Sequence, residues 1–353
     1  MPKLPTHTTM APEISNLCSM SQLDGSVKFL IFRMVPVISI PFYLLAWLLV
    51  TRNKSKVVQA VRKHYLRQML INYISVVLLC IIVCPVLVPP IPGYIMTGLL
   101  APLQLDAVYP LVMMTHMVLL VACAIIKLFK HQLVTLSDFR YTKKYELPVR
   151  VIKRMYNLCY VMMIFVALAI LPTLSIDLNM QEFRQGAFEY FQNPLVLCEE
   201  MFIADPRHWK IYVPYFMSIS FGGLCFVTGV SSVVTCLKMI YDSRKMVSRD
   251  TLIMQRNFTF ILVYQALVCV IFIIIPLGTV STLFYVDILI SENGLYYLLL
   301  ISSQGTVNNM MHIVPGLWRK LRKKANVIQS RQSWKGSSMW STSVVSNVAS
   351  TQC

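Results

Sequence analysis

The sequence predicts an all-α membrane protein: a bundle of seven transmembrane helices with an extracellular N-terminus, a cytoplasmic C-terminus and a short amphipathic helix after the seventh span. Three observations predict it. Hydrophobic residues make up 56% of the 353 and charged residues only 13%, whereas a soluble domain carries about a quarter charged residues. The apolar residues gather in runs of roughly the 20 that cross a bilayer as helix, with the backbone polar groups bonded internally. The basic residues alternate across these runs, sparse on one side and dense on the other.

The expected spans are residues 29–50, 69–88, 109–129, 156–174, 211–237, 258–284 and 295–314. Such runs are too long for an outer-membrane barrel, whose strands need about 10 alternating residues. Residues 1–28 are polar, with no apolar core of their own, so they read as an extracellular segment and not as a cleavable signal peptide. The seven-helix domain then covers 29–315, the amphipathic segment 316–327, and a Ser-rich, disordered cytoplasmic tail 328–353.

Orientation follows from charge. The net charge is +17, and 26 of the 32 Lys and Arg lie in four segments, 51–67, 127–154, 238–256 and 319–335. Eleven of the fifteen acidic residues lie elsewhere, among them Asp106, Glu182, Glu199, Glu200 and Asp287. The dense basic side is cytoplasmic, where it also attracts anionic headgroups. No basic stretch carries a nucleic-acid-reading motif, so no nucleic-acid partner is expected. The sequons at Asn53 and Asn257 fall on the cytoplasmic side and are expected to stay unglycosylated.

The seventh span needs separate justification, because six of the eight residues from Ser302 to Asn309 are polar. Were it not to cross, the cluster RKLRKK at 319–324 would lie outside, opposite every other basic segment. On a helix, Ser302, Thr306 and Asn309 form one stripe, and Gln304 and Asn308 a second. Either neighbours enclose the helix on most sides, or it breaks at Gly305. The polarity reads as a hinge and water network that repacks between states, with plain interhelical packing as the alternative. Pro315-Gly316 ends the helix.

Several motifs resemble a known family. In the second outer loop, LVLCEEMFIADPRH (195–208) is similar to a Cys-x-Glu-Glu-x-Phe-x-x-Asp-Pro pattern. SRDTLIMQRNFTFILVYQALVCVIFIIIP (248–276) resembles a sixth span with a Ser-x-x-Thr entry, a mid-helix Gln and a closing Pro. ISIPFYLLAWLLVTRNKSKV (38–57) resembles a first helix and loop, and ISSQGTVNN (301–309) stands where relatives carry Ser-x-His-Gly and then Ser-Thr. Together these resemble the nematode serpentine chemoreceptors, seven-transmembrane G-protein-coupled receptors of the Str superfamily, most like class H, over 26–324. The departures are Gln304 for His, Asn308-Asn309 for Ser-Thr, and Pro-Gly-Leu-Trp (315–318) for Pro-Tyr-Arg. Phe129-Lys130-His131-Gln132 replaces Phe-Glu-Asn-Arg, so the acid–arginine element of the third span is missing.

The resemblance implies a chemosensory receptor at the plasma membrane, in a sensory cilium, that binds an environmental small molecule and signals to a heterotrimeric G protein. The competing readings are a ligand-gated channel or transporter subunit, against which no inverted repeat is evident, and an orphan trafficking or scaffold receptor. For the ligand, Asp106, Tyr109, Met113 and His116 recur on one face of the third span, joined by Tyr215, Ser218, Gln265, Tyr297 and Ser303. The polar network is Ser302, Gln304, Gly305, Thr306, Asn308 and Asn309. Arg33 is expected to snorkel outward. The outer loop 175–210 is either a lid or a solvated connector. Cys18 and Cys198 are expected to face the oxidising exterior, as a disulfide or as two free thiols. Six scattered histidines give no metal-ligand spacing, and no phosphate-binding glycine loop or nucleophile elbow appears. Neither cofactor nor enzymatic activity is expected.

Overall fold

Apolar runs flanked by basic residues form helices because lipid offers the backbone no other bonding partner. In the computed structural model the described residues are 27–52, 56–87, 93–103, 105–106, 108–137, 144–175, 181–192, 194–197, 201–203, 209–242, 249–279, 296–311 and 313–314. Six helices among them are long and apolar enough to cross a membrane. They are α1 (Val27–Arg52), α2 (Lys56–Val77), α3 (Val108–Ser137), α4 (Glu146–Ala169), α6 (Trp209–Asp242) and α7 (Arg249–Cys269). Residues 296–311 form α8, the seventh segment, which packs against α1 and α2. Residues 1–26 and 315–353 lie outside the described residues. The expected amphipathic helix, the tail and the Cys18–Cys198 pair fall there or at other undescribed positions.

The boundaries depart from the apolar runs at their cytoplasmic ends. α4 begins ten residues before its expected start, and α3 continues eight beyond its expected end. Hydropathy marks only the lipid-crossing part; the helices continue into the headgroup layer, where lysine and arginine stems cover the backbone. α2 gives way at Leu78–Val83 to a π turn, and Cys84 then adopts a left-handed conformation (φ 43°) that turns the chain into a strand. A second π turn, Val270–Ile274, follows α7 and precedes Pro276, where the ring removes a helix hydrogen bond.

The outer surface carries a small antiparallel sheet that the sequence reading did not anticipate. Its strands are β1 (Pro85–Leu87), β2 (Gly93–Met96) and β3 (Met201–Ile203), in spatial order β1-β2-β3. Val86 pairs with Ile95, and Tyr94 with Phe202, whose rings lie 5.4 Å apart. Gly93 is required, since a Cβ there would overlap the Phe202 carbonyl oxygen. The second outer loop is therefore more than a solvated connector. It contains α5 (Gln181–Phe191) and the strand β3.

Two arginines anchor this cap. Buried Arg184 of α5 donates to the carbonyls of Val196 (2.8 Å) and Met201 (3.2 Å). Arg33 of α1 donates to the Thr97 carbonyl at 2.7 Å. Arg33 thus does more than snorkel: it fastens the first helix to the end of the hairpin.

Below the cap, α4 and α6 pack along much of their length, and α3 touches α2, α4, α6 and α7. Ala46, Leu128, Leu133, Tyr156, Cys159 and Leu262 lie in one continuous core. Large apolar side chains such as Leu30, Leu44, Ile164, Phe226 and Ile271 are exposed on the bundle's outside, the lipid-facing surface of a membrane protein.

Candidate functional site

The site is built from α8 upward. Its helix is continuous through Gly305, so of the two alternatives raised by the sequence, enclosure holds and breakage does not. Ser302, Gln304, Gly305, Asn308 and Asn309 are all buried and Thr306 is half-buried. At 100° per residue these buried positions span an arc of about 160°, with Gly305 near its middle. The two expected stripes are therefore the two margins of one broad face.

Gly305 occupies the middle because nothing larger fits. A Cβ there would run into the Tyr43 hydroxyl of α1 and stand 3.2 Å from the Asn72 Cβ of α2. This glycine allows close approach of three helices. Around it, Ser39 donates to Val35 O at 2.7 Å, which leaves its oxygen to accept from the Thr306 hydroxyl at 2.8 Å. Tyr43 also meets Tyr73 edge-on, with ring centroids 5.1 Å apart. Gln68 and Asn72 are buried on the same helix, one turn apart. Ser39, Tyr43, Gln68 and Asn72 were missed by sequence reasoning. Their signal was present: one polar pair at i, i+4 inside the first apolar span and another straddling the start of the second.

The resulting seam is rich in buried polar side chains. Tyr43 Oη, Gln68 Nε2, Asn72 Oδ1, Gln304 Nε2, both Asn308 amide atoms and Asn309 Nδ2 have no hydrogen-bond partner among the described residues. Each such group costs about 1–3 kcal/mol when buried.

The expected ligand residues are placed less uniformly. Gln265 of α7 is buried, 1% exposed, with its Oε1 unpaired among the described residues. His116 is half-buried, its Nδ1 at 2.8 Å from the Val112 carbonyl of its own helix. Ser218 and Ser303 likewise donate within their own helices, to Pro214 O and Leu300 O. Tyr215 and Tyr297 are half-buried, and Tyr215 packs edge-on to Phe216. Tyr109 and Met113 are 49% and 39% exposed, and Asp106 is exposed just before α3. Among the described residues no group of three His, Cys, Asp or Glu could hold a metal ion.

At the inner end, Gln132 stands where the motif comparison places an arginine. It is buried and donates to the Thr259 hydroxyl of α7 at 3.3 Å. Lys130 donates to Asn157 Oδ1 of α4 at 2.9 Å and stands 5.2 Å above the Tyr160 ring. Tyr145 donates to the Asp242 carboxylate of α6 at 2.7 Å, which holds its phenol above the ordinary range.

A model of the family described as serpentine type 7TM GPCR chemoreceptor Srh matches residues 26–317. The chain belongs to that family. No curated protein and no solved structure matches it. The Srh receptor is thus a multi-pass membrane protein of a chemoreceptor class, and the class is not an enzyme class. The matched region contains the complete seam, from Ser39 through Asn309, and both outer anchors, Arg33 and Arg184. In this receptor the inner end of the third span makes a neutral cross-helix contact, Gln132 to Thr259.

Proposed function

We propose that this receptor sits in the plasma membrane of a sensory cilium, binds an environmental small molecule in the outer half of its bundle and signals to a heterotrimeric G protein. The ligand lies between α3, α6, α7 and α8, with Gln265 as its deepest polar contact and His116, Tyr215, Tyr297 and Ser303 around it. Asp106, Tyr109, Met113 and Ser218, which are exposed, belong to the rim. The observation that supports this reading is the seam of buried polar side chains where α8 meets α1 and α2. Buried amides and hydroxyls of this kind can exchange partners, so the seam can take more than one packing. Such an element is two-state, and a ligand with different affinity for the two states shifts it. The inner ends of α3, α6 and α7 then present the changed surface to the G protein.

The test is heterologous expression with a G-protein readout against an odorant panel, beside ion-current recording. A ligand-dependent G-protein signal that Gln265→Ala weakens by at least tenfold, without current, is the expected result. Current persisting without G protein would transfer the protein to the channel class. One observation favours a second reading: with Gln132 in place of the arginine, the receptor serves trafficking and does not couple. That reading predicts silence in both recordings, and no gain on Gln132→Arg.

A further inference from the structure

The inner ends of α2 and α3 bring together four basic side chains that the seam does not use. His64 and His131 face each other with ring centroids 5.1 Å apart and planes tilted by 38°. Arg67 follows His64 by three residues and Lys127 precedes His131 by four. Because α2 and α3 run antiparallel, both stand about one turn nearer the bilayer centre, on the side of the imidazoles. Both act electrostatically on His64. Arg67 and Lys127 are exposed, and the two histidines are half-buried.

Neither helix contains an Asp or Glu, so like charges converge with no carboxylate of their own helices to offset them. Lys130 is turned away to Asn157 and Tyr160. The depth is specific. The apolar run of α2 begins at Met69, just after Arg67, and that of α3 ends at Phe129, beside Lys127. The cluster therefore sits where hydrocarbon meets headgroups on the cytoplasmic side. Toward the bilayer centre the exposed faces turn apolar, with Leu70 and Ile74 on α2 and Leu120 on α3.

We propose that this groove between α2 and α3 binds one anionic phospholipid of the cytoplasmic leaflet. Its phosphate-bearing headgroup lies against Arg67, Lys127 and the two imidazoles, and its acyl chain runs along Leu70, Ile74 and Leu120. The charges ask for an anion. Arginine offers a planar fork to phosphate and lysine a point charge, and basic pockets between helices at this depth suit such headgroups. The leucines decide the source of the anion, since only a lipid reaches exposed apolar side chains below the headgroup layer. Neither the outer-half ligand nor a G protein is needed to hold this lipid.

Native mass spectrometry of the full-length receptor, incubated with equal phosphatidylinositol 4-phosphate and phosphatidylcholine, tests it. The wild type is expected to retain one phosphoinositide in preference to phosphatidylcholine. The double substitution Arg67→Gln/Lys127→Gln should cut that preference roughly tenfold or more, at about fivefold per charge, and Arg67→Lys/Lys127→Arg should keep it. Lys127→Met, which places an apolar side chain on a lipid-facing surface and so spares the fold, should cut it about fivefold. Arg150→Gln removes a charge already bonded to Glu146 at 2.7 Å and should change nothing. Equal retention of both lipids by the wild type would overturn the site, as would unchanged preference in Lys127→Met. Equal loss in Arg150→Gln would reduce the effect to general surface attraction and overturn it as well.

Discussion

Asn308 shows how a single residue separates a switch from a packing device. Both its amide atoms are buried without partners among the described residues. Replacing an unpaired buried polar group by an apolar one of similar size removes a cost of about 1–3 kcal/mol. Asn308→Leu is therefore expected to raise the thermal midpoint in detergent. If the seam is the switching element, the same change lowers ligand-driven signalling by locking one packing. A higher midpoint with unchanged signalling would make the seam structural only. Gly305→Ala acts oppositely: its methyl meets Tyr43 and Asn72, and overpacking of this kind costs about 1–3 kcal/mol. Adding Tyr43→Phe, which removes the nearest atom, should recover part of the loss in a double-mutant cycle. The polarity of Ser302 to Asn309 was legible in the sequence, and so was its enclosure as one of two alternatives. That Gly305 is the point of closest approach was not legible, because a glycine in a helix reads the same whether it bends the chain or admits a neighbour.

At the scale of elements, the cap is what hydropathy hid. β1, β2 and β3 are each three or four residues long, too short to show alternation, and β3 pairs with a hairpin more than 100 residues earlier in the chain. Its integrity rests on buried Arg184, whose guanidinium holds the carbonyls of Val196 and Met201. Arg184→Met removes hydrogen bonds from a charged donor, each worth about 1.5–3 kcal/mol. Hydrogen exchange should then quicken across residues 194–203 while α4 and α6 keep their protection. Uniform loss of protection would show that the cap and the bundle unfold as one unit. Gln132 and Thr259 form the corresponding neutral link between α3 and α7 at the inner end. Thr259→Val keeps the shape and removes the acceptor, so a cycle with Gln132→Ala should yield a coupling of about 0.5–1.5 kcal/mol.

For the whole molecule, orientation is the claim on which every inner and outer assignment depends. Both natural sequons, at Asn53 and Asn257, are expected to remain bare in a glycosidase-shift assay, whereas a sequon introduced within residues 204–208 should be modified. Sugar on Asn53 would reverse the topology, and with it the placement of the lipid groove and the G-protein face. The seam, the cap and the groove lie at three depths along the same bundle.

The sequence by itself determined the class of the molecule: a helical membrane bundle, its family and the polar seventh segment. These are properties of single segments and of summed charge, so each can be read locally. The tertiary structure decided which polar residues meet. Ser39, Tyr43 and Asn72 meet Gly305 and Thr306 across three helices, Arg33 and Arg184 hold the cap, and His64 meets His131. The physical reason is that helix periodicity states which residues share a face but not which face a neighbour covers. That depends on rotations and crossing positions of helices far apart in the chain, set by packing of the whole bundle.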